Sequence, residues 1–189
     1  MVRYRRNVVP GGTYFFTVTL ADRRSRLLVD QVDALRLAFR DTRARHPFTV
    51  DAIVVLPDHL HIVMTLPIDD PDFSTRWASI KRRFTDAVAK AGVPVARHRT
   101  GEPALWQRRF WEHTIRDDRD LAHHVDYVHF NPVKHGLVGR VRDWPWSSFH
   151  RFVRLGVLPR DWGGEVGDVA GRFGEPAGGG ATRRRSTAR

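Results

Sequence analysis

Apolar positions along this chain change period several times, and the changes mark out its elements. Thr13 to Leu20 (TYFFTVTL) is aromatic and β-branched, which predicts a strand entered through the Pro10-Gly11-Gly12 turn. Asp30 stands where it can cap a helix running to about Arg45, with Val32, Leu35 and Phe39 on one stripe. Phe48 to Leu56 and His59 to Leu66 predict a second and third strand, and Pro57-Asp58 between them makes the pair a hairpin. Phe73, Trp77, Ile80, Phe84 and Val88 recur at helical spacing and predict a helix over roughly 73–91. A Gly/Pro-containing loop over 92–104 leads to Trp106–Ile115 (WQRRFWEHTI), the fourth strand candidate. A last helix starts near Asp117 and carries Tyr127; Pro132 interrupts it and Gly136 can terminate it.

The order β-α-β-β-α-β-α, without its last helix, is the split βαβ arrangement of ferredoxin-like folds. The expected fold is α+β: a four-stranded antiparallel sheet with helices on one face, plus a C-terminal helix carrying the tyrosine. Residues 1–163 form one expected domain. Residues 164–189 are Gly- and Arg-rich with little apolar content, and are expected to be a disordered tail.

Charge narrows the class of partner. Thirty-two Lys and Arg against 21 Asp and Glu give +11, a balance that favours nucleic acid, although it also serves plain solubility. Cysteine is absent, so a metal site must use His, Asp, Glu, Asn or Gln. The Arg-rich start lacks the apolar core of a secretory signal, and no apolar run reaches the ~18 residues of a membrane span. The expectation is a cytoplasmic, nucleoid-associated protein with no membrane partner and no small-molecule cofactor.

The sharpest local signal is Leu56-Pro57-Asp58-His59-Leu60-His61-Ile62-Val63-Met64. Strand alternation puts His59 and His61 on one face, with Leu60, Ile62, Met64 and Leu66 on the core side. Two imidazoles one strand-step apart can hold a cation between them, given at least one further amide or carboxylate ligand. Imidazole-rich sites by themselves favour zinc and other transition metals. On the last helix, Leu121, Val125 and Val128 form one stripe, and Tyr127 and Asn131, four apart, lie away from it with His123 and Lys134. A tyrosine held off the core beside an amide and basic groups suits a phosphate; a surface tyrosine before an Asn-Pro helix break is the plainer alternative. The parts would fit one chemistry if this helix packed over the histidine-bearing face. A metal neutralises a phosphodiester, and a tyrosine nucleophile conserves the bond energy that water would discard.

Five blocks together carry a resemblance: Tyr4-Arg5-Arg6 before the Gly-Gly-aromatic strand, LPDHLHIV at 56–63, WQRRFWEHTIRDDRDL at 106–121, YVHFNPVKHGLV at 127–138 and WPWSSF at 144–149. In this order and spacing the chain resembles the REP-associated tyrosine transposases, a branch of the single-tyrosine HUH transposases. The resemblance implies a single-stranded DNA endonuclease and strand transferase acting at hairpin elements through a 5′-phosphotyrosine. It implies Tyr127 as nucleophile, His59 and His61 as ligands of Mg²⁺ or Mn²⁺, and Asn131 as the third ligand. It also implies a monomer or weak dimer. A hairpin-binding protein without chemistry and a metal-dependent phosphodiesterase using water are the competing readings.

Arg3, Arg5 and Arg6 are candidates for gripping the hairpin or its foot, since the first 26 residues hold six Arg against one Asp. Lys81, Arg82, Arg83, Arg108 and Arg109 come next as DNA-binding candidates. Trp144, Trp146 and Phe149 can stack on bases, but aromatics this dense more often anchor a C-terminal segment to the core.

Overall fold

The computed structural model describes residues 7–163; the arginines at 3, 5 and 6 and the tail from 164 lie outside the described residues. Four strands, β1 (Thr13–Thr19), β2 (Thr49–Val55), β3 (His59–Thr65) and β4 (Trp111–Thr114), form one antiparallel sheet in the order β2-β3-β1-β4. With the helices between them, this is the ferredoxin-like split βαβ topology read from the chain. No helix among the described residues is long and apolar enough to cross a membrane.

β1 explains the layering. It lies between two strands, and six of its seven residues are buried, so both its faces must be covered. Tyr14, Phe16 and Val18 face α2 (Val32–Arg45) and α3 (Phe73–Lys90), where Phe16 meets Trp77 at 5.4 Å and Tyr14 meets Phe73 at 4.9 Å between ring centroids. Phe15 and Thr17 face the other way, beneath α4 (Asp118–Lys134), where Phe15 meets Tyr127 at 5.9 Å. The tyrosine helix therefore takes the sheet face that α2 and α3 leave open.

Three boundaries differ from expectation. The single helix expected from Asp30 is broken: α1 (Leu27–Asp30) closes a separate turn, Gln31 leaves helical geometry, and Asp30 caps nothing. β4 is much shorter than 106–115. Trp106 makes one isolated bridge to Leu20 and then turns its ring onto Phe84, while Phe110 fills a gap between Phe16, Phe73 and Trp77. These rings gain more by burial under α3 than by continuing the ladder. α4 passes through Pro132 and ends at Lys134; Gly136 (φ 67°) then closes it, with Gly136 N–H donating to the Val133 carbonyl at 2.9 Å and Leu137 N–H to the Pro132 carbonyl at 2.9 Å.

The aromatic block at 144–149 anchors the chain. The Trp144 indole N–H donates to the Val55 carbonyl at 2.9 Å, Val55 N–H to the Trp146 carbonyl at 2.9 Å, and Ile53 N–H to Ser148 Oγ at 2.8 Å. This seals the outer edge of β2, which would otherwise offer unpaired backbone groups. α5 (Phe149–Arg154) follows, its Arg151 donating to the Val50 and Asp51 carbonyls.

Candidate active site

β3 brings His59 and His61 to the α4 face of the sheet, opposite Thr19 and Thr17 of β1. Each imidazole is turned by a partner at Nδ1. His59 Nδ1 lies 2.8 Å from Asp58 Oδ1, and His61 Nδ1 lies 2.9 Å from Thr17 Oγ1. With those partners accepting from Nδ1–H, the lone pair offered to a ligand is on Nε2 in both rings. The two rings stand 4.9 Å apart and nearly perpendicular. Asp58 is itself gripped by Arg23, Nε to Oδ2 at 2.6 Å. Burial pushes the Asp58 carboxyl up, but the hydrogen bond and charge of His59 and the charge of Arg23 outweigh it and hold the group below its usual range.

Helix α4 supplies the phenol. Its start is fixed by Asp117, whose side chain accepts from Asp120 N–H at 2.8 Å, and the acidic first turn suits the helix dipole. Tyr127 lies with its ring 5.3 Å from His61, and Lys134 Nζ donates to its hydroxyl at 2.8 Å. Tyr127 is not held off the core: it is 2% exposed, and Asn131 is fully buried. The buried arc of α4 is His124, Tyr127, Val128, His129, Asn131 and Pro132, rather than the Leu121-Val125-Val128 stripe alone. The reason is that the opposing sheet face carries Thr17, Thr19, His59 and His61, so a polar arc packs there better than an apolar one.

Asn131 has the most telling environment. Both its amide oxygen and nitrogen are buried without a hydrogen-bond partner among the described residues. Such an amide costs about 1–3 kcal/mol per unsatisfied group. It is a position that wants a ligand: Asn131 follows Tyr127 by one helical turn and precedes His135 by four residues, the two residues whose rings meet His61 and His59, and an amide oxygen with two imidazoles is a donor set that fits a divalent cation. His135, just beyond the helix, adds a third imidazole with its ring 5.1 Å from His59.

A second cluster escaped the sequence reading. His113 of β4 and Asp120 and His124 of α4 place ligand-type atoms within 4.8 Å of one another, a His/His/Asp group able to hold a divalent metal. His113 Nε2 lies 2.8 Å from Asp120 Oδ2, His124 Nδ1 lies 3.1 Å from Oδ1, and the two rings stack at 4.6 Å. His124 Nδ1 is also 2.7 Å from the Asp120 main-chain oxygen. Burial raises the Asp120 carboxyl, but the hydrogen bonds from His113 and Arg116 N–H and the nearby imidazole charges bring it below its usual range. The i,i+4 spacing of Asp120 and His124 was a readable signal; the strand partner was not.

The basic candidates are spread elsewhere. Lys81 and Arg83 lie on α3, across the sheet from Tyr127. Lys81 Nζ donates to the Gln107 carbonyl at 3.1 Å and sits over Phe110 and Trp106; Arg83 bonds Ser79 and approaches Asp41. Arg82, Arg108 and Arg109 are exposed.

The chain is 49% identical over 170 residues to the REP-associated tyrosine transposase of Escherichia coli K12, covering 90% of this chain and 96% of the relative. It is 48% identical over 166 residues to a putative REP-associated tyrosine transposase of Haemophilus influenzae, covering 87% and 94%. No family model matches. A solved structure of a REP-associated tyrosine transposase bound to a REP hairpin superposes with a TM-score of 0.81 at 48% identity, over 93% of this chain and 98% of that one. By identity and coverage, this chain belongs to the REP-associated tyrosine transposase family.

Proposed function

We propose that this protein cuts and rejoins single-stranded DNA beside a hairpin element of the REP type, with Tyr127 as nucleophile and a 5′-phosphotyrosine as intermediate. The observation that supports this most is the convergence of Tyr127 and the His59–His61 pair on one sheet face, ring to ring at 5.3 Å. Tyr127 Oη attacks phosphorus and the 3′ oxygen leaves, so the bond energy stays in the phosphotyrosine and the strand can be rejoined. Buried side chains hold the phenol in one place, which supplies the orientation an in-line attack needs. Asp58 and Thr17 keep the imidazoles turned toward the site.

His59 and His61 would hold Mg²⁺ or Mn²⁺ through Nε2, and Asn131 through its amide oxygen; the cation, when bound, neutralises a phosphate oxygen. A second location has an observation behind it: the cluster of His113 on β4 with Asp120 and His124 on α4, one to two turns before the tyrosine. The two separate cleanly. Loss of activity in His59→Ala with activity kept in Asp120→Asn supports the strand pair; the reverse supports the cluster.

DNA beyond the scissile phosphate would run onto the exposed Arg82, Arg108 and Arg109, with the arginines at 3, 5 and 6 at the hairpin foot and the protein acting as a monomer or weak dimer. The test is incubation with Mn²⁺ and a hairpin-bearing single strand. A covalent adduct that migrates slowly on a denaturing gel is expected, and Tyr127→Phe should abolish it. Cleavage that survives Tyr127→Phe would point to a water nucleophile, and unchanged DNA under every divalent metal would leave only a hairpin-binding protein.

A further inference from the structure

We infer that Lys134 is a catalytic residue of the strand-transfer reaction, carrying the charge on the Tyr127 oxygen as that oxygen joins and leaves phosphorus. The inference rests on the tyrosine chemistry proposed above. Lys134 is the last residue of α4, seven positions after Tyr127, so it returns to the same side of the helix two turns on. Its Nζ donates to the phenol oxygen at 2.8 Å and lies 4.6 Å from the ring centroid.

A last-turn lysine needs no such contact. It can complement the helix dipole by reaching toward the open carbonyls while keeping its ammonium in water. Lys134 stays exposed, yet its side chain folds back along the helix so that Nζ meets the phenol oxygen and the ring face rather than the open carbonyls. The backbone on either side is fixed by the Gly136 closure, with Gly136 and Leu137 both bonded into the last turn. The side chain therefore starts from a fixed point and ends on the one atom that reacts.

The step balances as follows. The Tyr127 Oη–phosphorus bond forms, the phosphorus–O3′ bond breaks, and the phenol proton ends on the released 3′ oxygen by way of solvent. In rejoining, the 3′ hydroxyl attacks, the Oη–phosphorus bond breaks, and the phenolate takes its proton back. Lys134 keeps its proton throughout and sits beside the oxygen whose negative charge rises in both directions. Lys134 is exposed and Tyr127 is 2% exposed, so the ammonium meets the phenol oxygen at the rim of the buried ring, where a fixed cation beside a developing oxyanion is screened less than in open solvent.

Single-turnover cleavage and rejoining of a hairpin-bearing single strand by the full chain in Mn²⁺ tests this. Lys134→Met should slow both directions by about a hundredfold at saturating DNA. Its melting temperature and hairpin Kd should match the wild type. Lys134→Arg should recover most of the lost rate. In a Tyr127→Phe background, Lys134→Met should leave hairpin binding unchanged. Unaltered rates in Lys134→Met overturn the inference. So does a Kd weakened tenfold with normal rates at saturation, because Lys134 would then be a phosphate grip. If Lys134→Met melts early, Lys134→Arg decides: a rate as low as that of Met in a folded Arg protein also overturns it. An inactive wild type would remove the tyrosine reading and this inference with it; an active wild type with a fully active Lys134→Met removes this inference alone.

Discussion

Replacing Asn131 with leucine should make the metal-free protein more stable while destroying its activity. Asn131 is fully buried, and its amide oxygen and nitrogen both lack a hydrogen-bond partner among the described residues. At about 1–3 kcal/mol per unsatisfied group, the two atoms together cost roughly 2–6 kcal/mol. Leucine is similar in volume but branched differently, and the misfit takes back about 1–2 kcal/mol. The net gain should be roughly 2 kcal/mol, or about 4–8 °C in melting temperature for a chain of this size. The assay is thermal unfolding followed by circular dichroism, in EDTA and then in Mn²⁺. A ligand at 100 times its Kd stabilises by about 2.7 kcal/mol, so Mn²⁺ should carry the wild type past the variant, which should not respond. A leucine variant that melts below the wild type in EDTA refutes the reasoning. An equal Mn²⁺ shift in both proteins refutes it too, and moves the metal toward His113, Asp120 and His124.

Two further outcomes follow from the same geometry. Asp58→Asn loosens the orientation of His59 and should weaken Mn²⁺ affinity by about 10–100-fold, measured by calorimetric titration, without loss of fold. His129 is fully buried, with Nε2 3.0 Å from Ser148 Oγ; burial first, then the charges of Arg151 and His150, push it down to about 4. The unfolded chain then binds the extra proton and the folded chain does not, so stability is full above pH ~6.5 and is lost as pH falls toward 4, by about 3 kcal/mol in all. His129→Phe should flatten urea midpoints over that window; an unchanged slope would remove the assignment.

How much of this was legible in the chain depends on which contacts are local. His59 and His61 were placed on one face by their alternation with Leu60, Ile62 and Met64, and the register with Thr19 and Thr17 agrees. The strand and helix order carried the sheet topology. Tyr127 was read as held off the core because a helical wheel recognises a buried face by its apolar residues. The face beneath α4 is polar, and nothing in α4 itself reveals that. Trp106 and Phe110 looked like strand residues, but their rings are recruited by Phe84 and by Phe16, Phe73 and Trp77, partners remote in the chain. Pro132 read as an interruption, yet α4 runs through it to Lys134: it forgoes a single bond, to the Val128 carbonyl, and the turn after it is held by His135 N–H to the Asn131 carbonyl and Leu137 N–H to the Pro132 carbonyl. The His113, Asp120 and His124 cluster needed a strand and a helix to meet, which spacing alone does not specify.

The chain has three tyrosines, at 4, 14 and 127, and the tryptic peptide spanning 120–134 carries only the last. Peptide mapping by mass spectrometry of the adduct formed in Mn²⁺ with a hairpin-bearing single strand tests the central claim most directly. Nucleotide mass on the 120–134 peptide, localised to Tyr127, is the predicted result. An adduct on Tyr4 or Tyr14, or cleaved DNA with no nucleotide on any peptide, would contradict it.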